Sequence, residues 1–173
     1  AFGLENLGIE QEIIKERIKK IMETLNITHL AEKAPHELSD GQKQRTALAG
    51  VLAMEPKILI LDEPTSLLDP KTALEFMELM DKLCREKGIS IIIVEHRLDL
   101  ILKYTDRLII LSNGKIISND KPENVFDYKK LIIPELGIPF STKVYRELAK
   151  THVKFSKPVT CADDMINEVR EKN

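Results

Sequence analysis

The stretch ELSDGQKQRTALAGVLAMEPKILILDEPTSLLDP, residues 37–70, predicts a helix, a buried strand and the start of a second helix. Residues from Gly41 to about Met54 are rich in helix formers, and Ser39 and Asp40 just before them are good N-cap residues. The apolar run KILILDE is short and bounded by prolines, which is typical of a buried strand. The stretch therefore joins a capped helix to a strand that ends in two acids.

The residues on either side extend this alternation of helices and strands. Lys71 to Lys87 form a long predicted helix that ends at Gly88, and ISIIIVE is a second buried strand. HRLDLILKY predicts a further helix, and the Asn113-Gly114 pair between two β-rich runs predicts a hairpin. Upstream, apolar residues three or four apart predict an amphipathic helix: Ile14, Ile18, Ile21 and Leu25. The order strand–helix–strand–helix indicates an α/β fold with parallel strands.

The overall composition argues against some classes of function. The 173 residues are 43% hydrophobic and 31% charged, which is typical of a soluble domain, and the net charge of −2 does not point to nucleic acid or to an anionic membrane. Cys84 and Cys161 lie far apart and suggest a reducing compartment rather than a disulfide framework. No apolar run approaches the roughly 18 residues that span a bilayer, so a membrane role is expected to act through a partner.

Two acids follow the first predicted strand. Asp62 and Glu63 are expected at the carboxyl edge of a parallel sheet, which is where open α/β sheets bind ligands. One carboxylate can hold Mg²⁺ and the other can position or deprotonate a water. Pro64 disfavours the helical region for Glu63 and is expected to keep the chain extended there. A solvated strand end is the common alternative for an acidic pair on its own.

Three further polar features are expected to face a ligand. His96 ends the second strand, and Asp69 precedes the helix after EPTSLL. A lone histidine is usually structural, however, and Asp69 can simply be an N-cap, with Pro70 in the first helical turn. The helix N-terminus at LSDGQ, with Ser39 and Gly41, favours a phosphate, although a plain capped helix would give the same pattern.

Taken in order, LSDGQKQR, ILILDEPTSLLD and IIIVEH resemble the nucleotide-binding subunits of ABC (ATP-binding cassette) ATPases. Residues 38–42 resemble the signature motif, residues 58–63 the Walker B motif with its catalytic glutamate, and residues 66–69 the D-loop. His96 resembles the switch histidine, and the match covers roughly residues 1–118. The runs VEHRLDLILKYTDRLIIL and LGIPFSTKVYRELAK are further similar to energy-coupling-factor importers, which take up metal ions and vitamins.

The resemblance implies a dimer that binds ATP and Mg²⁺ in sites shared between its subunits. Asp62 would hold Mg²⁺, Glu63 would polarise the attacking water, and His96 would contact the γ-phosphate. Four residues would bind the partner subunit's ATP or link the two sites: Ser39, Gly41, Gln42 and Asp69.

The resemblance also implies an architecture and a set of partners. The chain would be the C-terminal part of a P-loop NTPase, with a helical signature subdomain at 1–54, the second half of a RecA-like core at 55–120 and a helical tail, suited to dimerisation, at 121–173. Its partners would be a second ATPase subunit, identical or different, and a transmembrane transporter subunit, with no nucleic acid. The location would be cytoplasmic, at the inner face of the cell membrane.

One motif of the family is missing, and one is altered. The phosphate-binding loop Gly-x-x-x-x-Gly-Lys-Ser/Thr is absent: only Gly114 precedes a lysine, and Ile109 stands where the first glycine is needed. We therefore expect a fragment that is inactive alone. Asp40 replaces the second glycine of the signature. Its carboxylate at about 8 Å from a phosphate charge would cost on the order of 2 kcal/mol at an effective dielectric of about 20, unless it turns away as a cap, which we favour.

Two alternatives of other kinds stay open. Soluble relatives of the family act in DNA repair and translation, and the chain by itself could be a non-catalytic interaction module. A Gly-rich phosphate loop a short way upstream would favour the enzyme over the module.

Overall fold

The computed structural model describes residues 1–126, 137–151, 155 and 158–170. Its helices are α1 (Phe2–Asn6), α2 (Gln11–Thr24), α3 (Asp40–Leu52), α4 (Pro70–Lys87), α5 (Leu98–Ile101), α6 (Pro122–Val125), α7 (Phe140–Ala149) and α8 (Ala162–Arg170). Its strands are β1 (Ile58–Asp62), β2 (Ser90–Val94), β3 (Leu108–Ser112) and β4 (Lys115–Asp120). Short 3₁₀ turns lie at Thr28–Leu30, Pro35–Glu37 and Leu102–Tyr104.

The chain divides into two compact units, Ala1–Val94 and Glu95–Asn173. The functional boundaries expected near residues 54 and 120 stay predictions. In the described part of the chain, no helix is long and apolar enough to cross a bilayer.

The sheet of the first unit pairs β1 and β2 in parallel, as predicted, but the expectation that both strands are buried is wrong. Of the residues in these two strands only Leu59 is buried, and Ile92 and Val94 of β2 are 53% and 54% exposed. Asp62 is the register partner of Val94, so the carboxyl ends of the two strands lie side by side. Helix α4 packs against β2 and buries five residues: Ala73, Phe76, Met77, Met80 and Leu83. Side chains alternate between the faces of a strand, so Leu59 is buried while Ile60 stays 67% exposed.

The helices of the first unit bury the apolar stripe that their spacing predicts. Leu4 of α1, Ile14 of α2 and Ala53, which follows α3, form a buried cluster. Ile9, Ile18 and Ile21 pack against this cluster. Helix α4 ends where predicted, because Gly88 adopts the left-handed conformation, with φ of 65°, that closes a helix at low steric cost.

The second unit contains the predicted hairpin. Strands β3 and β4 pair antiparallel across Asn113 and Gly114, whose φ angles are 49° and 73°. Positive φ at both central residues suits the right-handed twist of the two strands, and asparagine and glycine tolerate it best. The helix predicted for HRLDLILKY is shorter than expected, since α5 tightens into a 3₁₀ turn at Leu102–Tyr104.

The tail forms the short helices that the sequence predicts. The hydroxyls of Ser141 and Thr142, in the first turn of α7, donate to the carbonyl oxygens of Thr160 (2.9 Å) and Val159 (3.0 Å). Both hydroxyls are buried, so these hydrogen bonds tie the segment before α8 to the start of α7. Parts of the predicted tail, at residues 127–136, 152–154, 156–157 and 171–173, lie outside the described residues.

Candidate functional site

The signature segment, residues 38–42, forms the capped N-terminus of α3. Ser39 is the N-cap, and its Oγ accepts a hydrogen bond from the backbone N–H of Gln42 at 3.3 Å. In return, the Oε1 of Gln42 accepts from the backbone N–H of Ser39 at 3.0 Å. This reciprocal capping box fixes both side chains and leaves the Ser39 hydroxyl proton available to donate to an anion.

Asp40 does not cap α3, and the expectation that its carboxylate turns away as a cap is wrong. Ser39 has the extended backbone of an N-cap, with φ of −66° and ψ of 164°, whereas Asp40 is already the first helical residue. The carboxylate of Asp40 instead lies 3.2 Å from Nζ of Lys43. Both side chains are exposed, so this ion pair offsets the charge of Asp40 only in part.

Asp69 caps the next long helix, as the structural alternative predicts. Its Oδ1 accepts hydrogen bonds from the backbone N–H groups of Lys71 (3.0 Å) and Thr72 (3.1 Å) at the start of α4. The hydroxyl of Thr72 donates to its other oxygen, Oδ2. The hydroxyl of Thr72, followed by the backbone N–H groups, stabilises the charged form and lowers the pKa of Asp69 below its usual value of 3.8.

Asp62 and Glu63 lie where the sequence places them, at the carboxyl end of β1, and both are exposed. The backbone of Glu63 differs from the expectation. Its φ is 43°, in the left-handed region, so the extended conformation expected before Pro64 is wrong. The N–H of Glu63 continues the sheet by donating to the carbonyl of Val94 at 2.9 Å, and its own carbonyl accepts from Ser66 N–H at 3.2 Å. The chain therefore leaves the strand and turns at this one residue, which costs on the order of 1–3 kcal/mol.

The chemistry of the two acids is compatible with holding Mg²⁺. In the described part of the chain, no three His, Cys, Asp or Glu side chains come together as metal ligands. Mg²⁺ is usually held by one or two carboxylates plus phosphate oxygens and waters, so an exposed Asp62 at the sheet edge suits that mode of binding.

His96 follows Glu95, the first residue of the second unit, whose contacts sequence reasoning missed. The side chain of Glu95 is 0% exposed, and its Oε1 accepts from the backbone N–H groups of His96 (3.1 Å) and Arg97 (3.2 Å). The same oxygen lies 3.5 Å from Nδ1 of His96, whose side chain is 68% exposed. Glu95 thus anchors the backbone that carries His96. An acid directly before a strand-end histidine was the available signal.

The predicted residues fall into three described groups. Ser39, Gly41 and Gln42 form the start of α3, and Asp69 contacts them through Thr72, against which Gly41 packs. Asp62 and Glu63 share the end of β1. His96 stands in the second unit, two residues after β2 ends.

Comparison with known proteins gives consistent similarities. Residues 3–66 match the family model described as ABC transporter. The chain is 44% identical over 167 residues to the putative HMP/thiamine import ATP-binding protein YkoD of Bacillus subtilis, covering 96% of this chain and 30% of that protein. It is 40% identical to the energy-coupling factor transporter ATP-binding protein EcfA2 of Latilactobacillus sakei, covering 92% of this chain and 56% of that protein. The chain thus spans less than two thirds of the length of either relative.

Two solved structures share the fold. The first is cbiO1 from Clostridium perfringens, part of the ABC transporter complex cbiONQ, with a TM-score of 0.70, 37% identity, and coverage of 87% of this chain and 55% of that chain. The second is the dimeric structure of MJ0796, a bacterial ABC transporter cassette, with a TM-score of 0.57, 32% identity, and coverage of 65% and 49%.

Proposed function

Because this chain belongs to the ABC transporter ATPase family, we propose that it forms part of an ATP-binding subunit that hydrolyses ATP to power a membrane transporter. The observation that carries this proposal is the register of the parallel pair, in which Asp62 lies beside Val94. That register places Asp62 and Glu63 at the strand ends, and the residues that follow Val94 are Glu95 and His96.

Each proposed catalytic residue has a role that its own surroundings support. The exposed carboxylate of Asp62 holds Mg²⁺, and that ion, when bound, neutralises phosphate charge. Glu63 polarises the attacking water from the end of β1, where the chain turns out of the strand. His96 contacts the γ-phosphate, and Glu95 anchors the backbone of His96 through two N–H groups.

The signature segment and Asp69 act across a dimer of ATPase subunits. The Ser39 hydroxyl and the first N–H groups of α3 meet the phosphates of the partner's nucleotide, because a helix N-terminus favours anions. Gly41 and Gln42 complete this contact, and Asp69 links the two sites. The dimeric MJ0796 cassette supports this arrangement.

The transported cargo is a vitamin or a metal ion, and the direction is uptake. The named roles of YkoD and EcfA2 support an energy-coupling-factor type of importer. The subunit then works at the inner face of the cell membrane against a transmembrane partner. The cbiONQ complex, of which cbiO1 is part, supports such a partner.

Replacement of Glu63 tests the chemistry in the full-length protein. Glu63→Gln keeps the side-chain shape but removes the charge that activates water, so we expect ATP to bind while turnover falls by roughly 10²-fold or more. The dimer should persist on ATP and elute early in size-exclusion chromatography.

The matched control is Glu78→Gln, which removes an exposed acid from the middle of α4 and should leave turnover unchanged. A Glu63→Gln protein that hydrolyses ATP at the rate of this control would contradict the catalytic role of Glu63.

A further inference from the structure

Gly41 of the signature segment lies against Thr72, which belongs to a different helix. A Cβ atom placed on Gly41 would lie 2.7 Å from Cγ2 of Thr72, closer than real Cβ atoms come to carbon. Gly41 lies in α3 and is not among the glycines with positive φ. Alanine is the better helix former, so local conformation would favour alanine here and only the methyl of Thr72 demands glycine.

The same threonine holds the D-loop, residues 66–69. Its hydroxyl donates to Oδ2 of Asp69, and its backbone N–H donates to Oδ1 at 3.1 Å. One side chain therefore touches the signature segment with its methyl group and the D-loop with its hydroxyl.

A second contact lies one turn further along both helices. Nη2 of Arg45, four residues after Gly41, donates to Oε2 of Glu75, three residues after Thr72, at 3.0 Å. Residues one turn apart lie on the same side of a helix, so the two contacts join the same faces of α3 and α4.

We propose that Thr72 is a positioning residue that holds the signature segment at a set distance from the D-loop of the same subunit. The proposal rests on the proposed function, because both segments matter only if both face nucleotide in the dimer. A displacement of the signature segment then moves the methyl group of Thr72, and with it the hydroxyl that holds Asp69. In this way the two nucleotide sites of the dimer are coupled inside each subunit.

A double-mutant cycle in the full-length protein tests this role, with ATP turnover, KM for ATP and thermal unfolding as readouts. Gly41→Ala should lower Tm and reduce kcat by roughly 10-fold or more, because a displacement of about 1 Å can cost that much. KM for ATP should change little, since in the proposed dimer the phosphate-binding loop of the other subunit holds most of the nucleotide. Thr72→Ser removes the methyl and keeps the hydroxyl, so Gly41→Ala with Thr72→Ser should recover Tm and most of kcat.

The matched control is Gly50→Ala. Gly50 lies in the same helix, and nothing stands within 4 Å of its added Cβ, so Tm should not fall and kcat should not change. A double variant as impaired as Gly41→Ala would overturn the proposal, as would a Gly41→Ala protein that behaves like Gly50→Ala. Recovery of Tm without recovery of kcat would also overturn the proposal, because the contact between Gly41 and Thr72 would then stabilise the fold without positioning the signature segment for turnover. If the wild-type protein lacked ATPase activity, the proposed function would fail, while the Tm values would still decide the contact.

Discussion

Asp69 shows how one hydrogen-bonded carboxylate links stability to pH. Its pKa in the folded chain lies below 3.8, chiefly because the hydroxyl of Thr72 donates to it. An acid whose pKa is lower in the folded than in the unfolded chain stabilises the fold at any pH above its unfolded pKa. This stabilisation is lost as the pH falls through the folded pKa. The cap at α4 therefore weakens only in acid.

We expect Asp69→Asn to flatten the acid side of the stability curve. Asparagine remains a good N-cap but does not titrate, so the pH-dependent part of the stabilisation disappears. Urea unfolding from neutral pH to below 3.8 should show the wild type losing more stability than the variant. Glu78→Gln, which removes an exposed acid of the same helix, serves as the control. Parallel curves for wild type and Asp69→Asn would show that Asp69 has no lowered pKa.

The packing of helix α7 against the segment before α8 rests on two buried side-chain hydrogen bonds. Thr142 and Val159 are each 0% exposed, and the hydroxyl of Thr142 supplies the hydrogen bond to the Val159 carbonyl. A buried carbonyl without a donor costs its desolvation energy, which is larger than the net worth of an ordinary hydrogen bond.

Thr142→Val tests this link, because valine has the same shape and lacks the hydroxyl. We expect the free energy of unfolding to fall by about 1–3 kcal/mol in urea titrations. Thr151→Val removes an exposed hydroxyl just after α7, where water can replace it, and should cost within about 0.5 kcal/mol. Equal losses for the two variants would refute the structural role of Thr142.

Helix ends and turns that are set by neighbouring residues could be predicted from the sequence. The candidate site could be predicted only in part. Gly88 ends α4 and Asn113-Gly114 turns the hairpin because each acts within a few residues. The contact of Gly41 with Thr72 joins helices that are distant in sequence and leaves no local pattern. The left-handed backbone of Glu63 was missed for another reason: a proline disfavours only the right-handed helical region for the residue before it.

At the scale of the whole molecule, the proposed dimer can be tested by combining substitutions at Ser39 and Glu63 in one subunit. If Ser39 acts on the partner's nucleotide, a subunit carrying both Ser39→Arg and Glu63→Gln damages both sites when it is paired with a wild-type subunit. We expect purified mixed dimers of this kind to lose nearly all ATP hydrolysis.

The control separates the lesions, with Ser39→Arg in one subunit and Glu63→Gln in the other. Both lesions then fall in one site, the other site is intact, and some activity should return. About half the wild-type activity in the first arrangement and none in the second would indicate that Ser39 acts within its own subunit, against the shared-site dimer.

The left-handed turn at Glu63 has a consequence for anyone who engineers this protein. Glycine adopts a φ of 43° without the steric cost that glutamate bears, so it is the residue that thermal tolerance alone would select at position 63. A library screened only for heat resistance would therefore enrich glycine there and discard the proposed catalytic carboxylate. Thermostable variants of this protein should be sought with position 63 held fixed, or with a turnover assay in every round of screening.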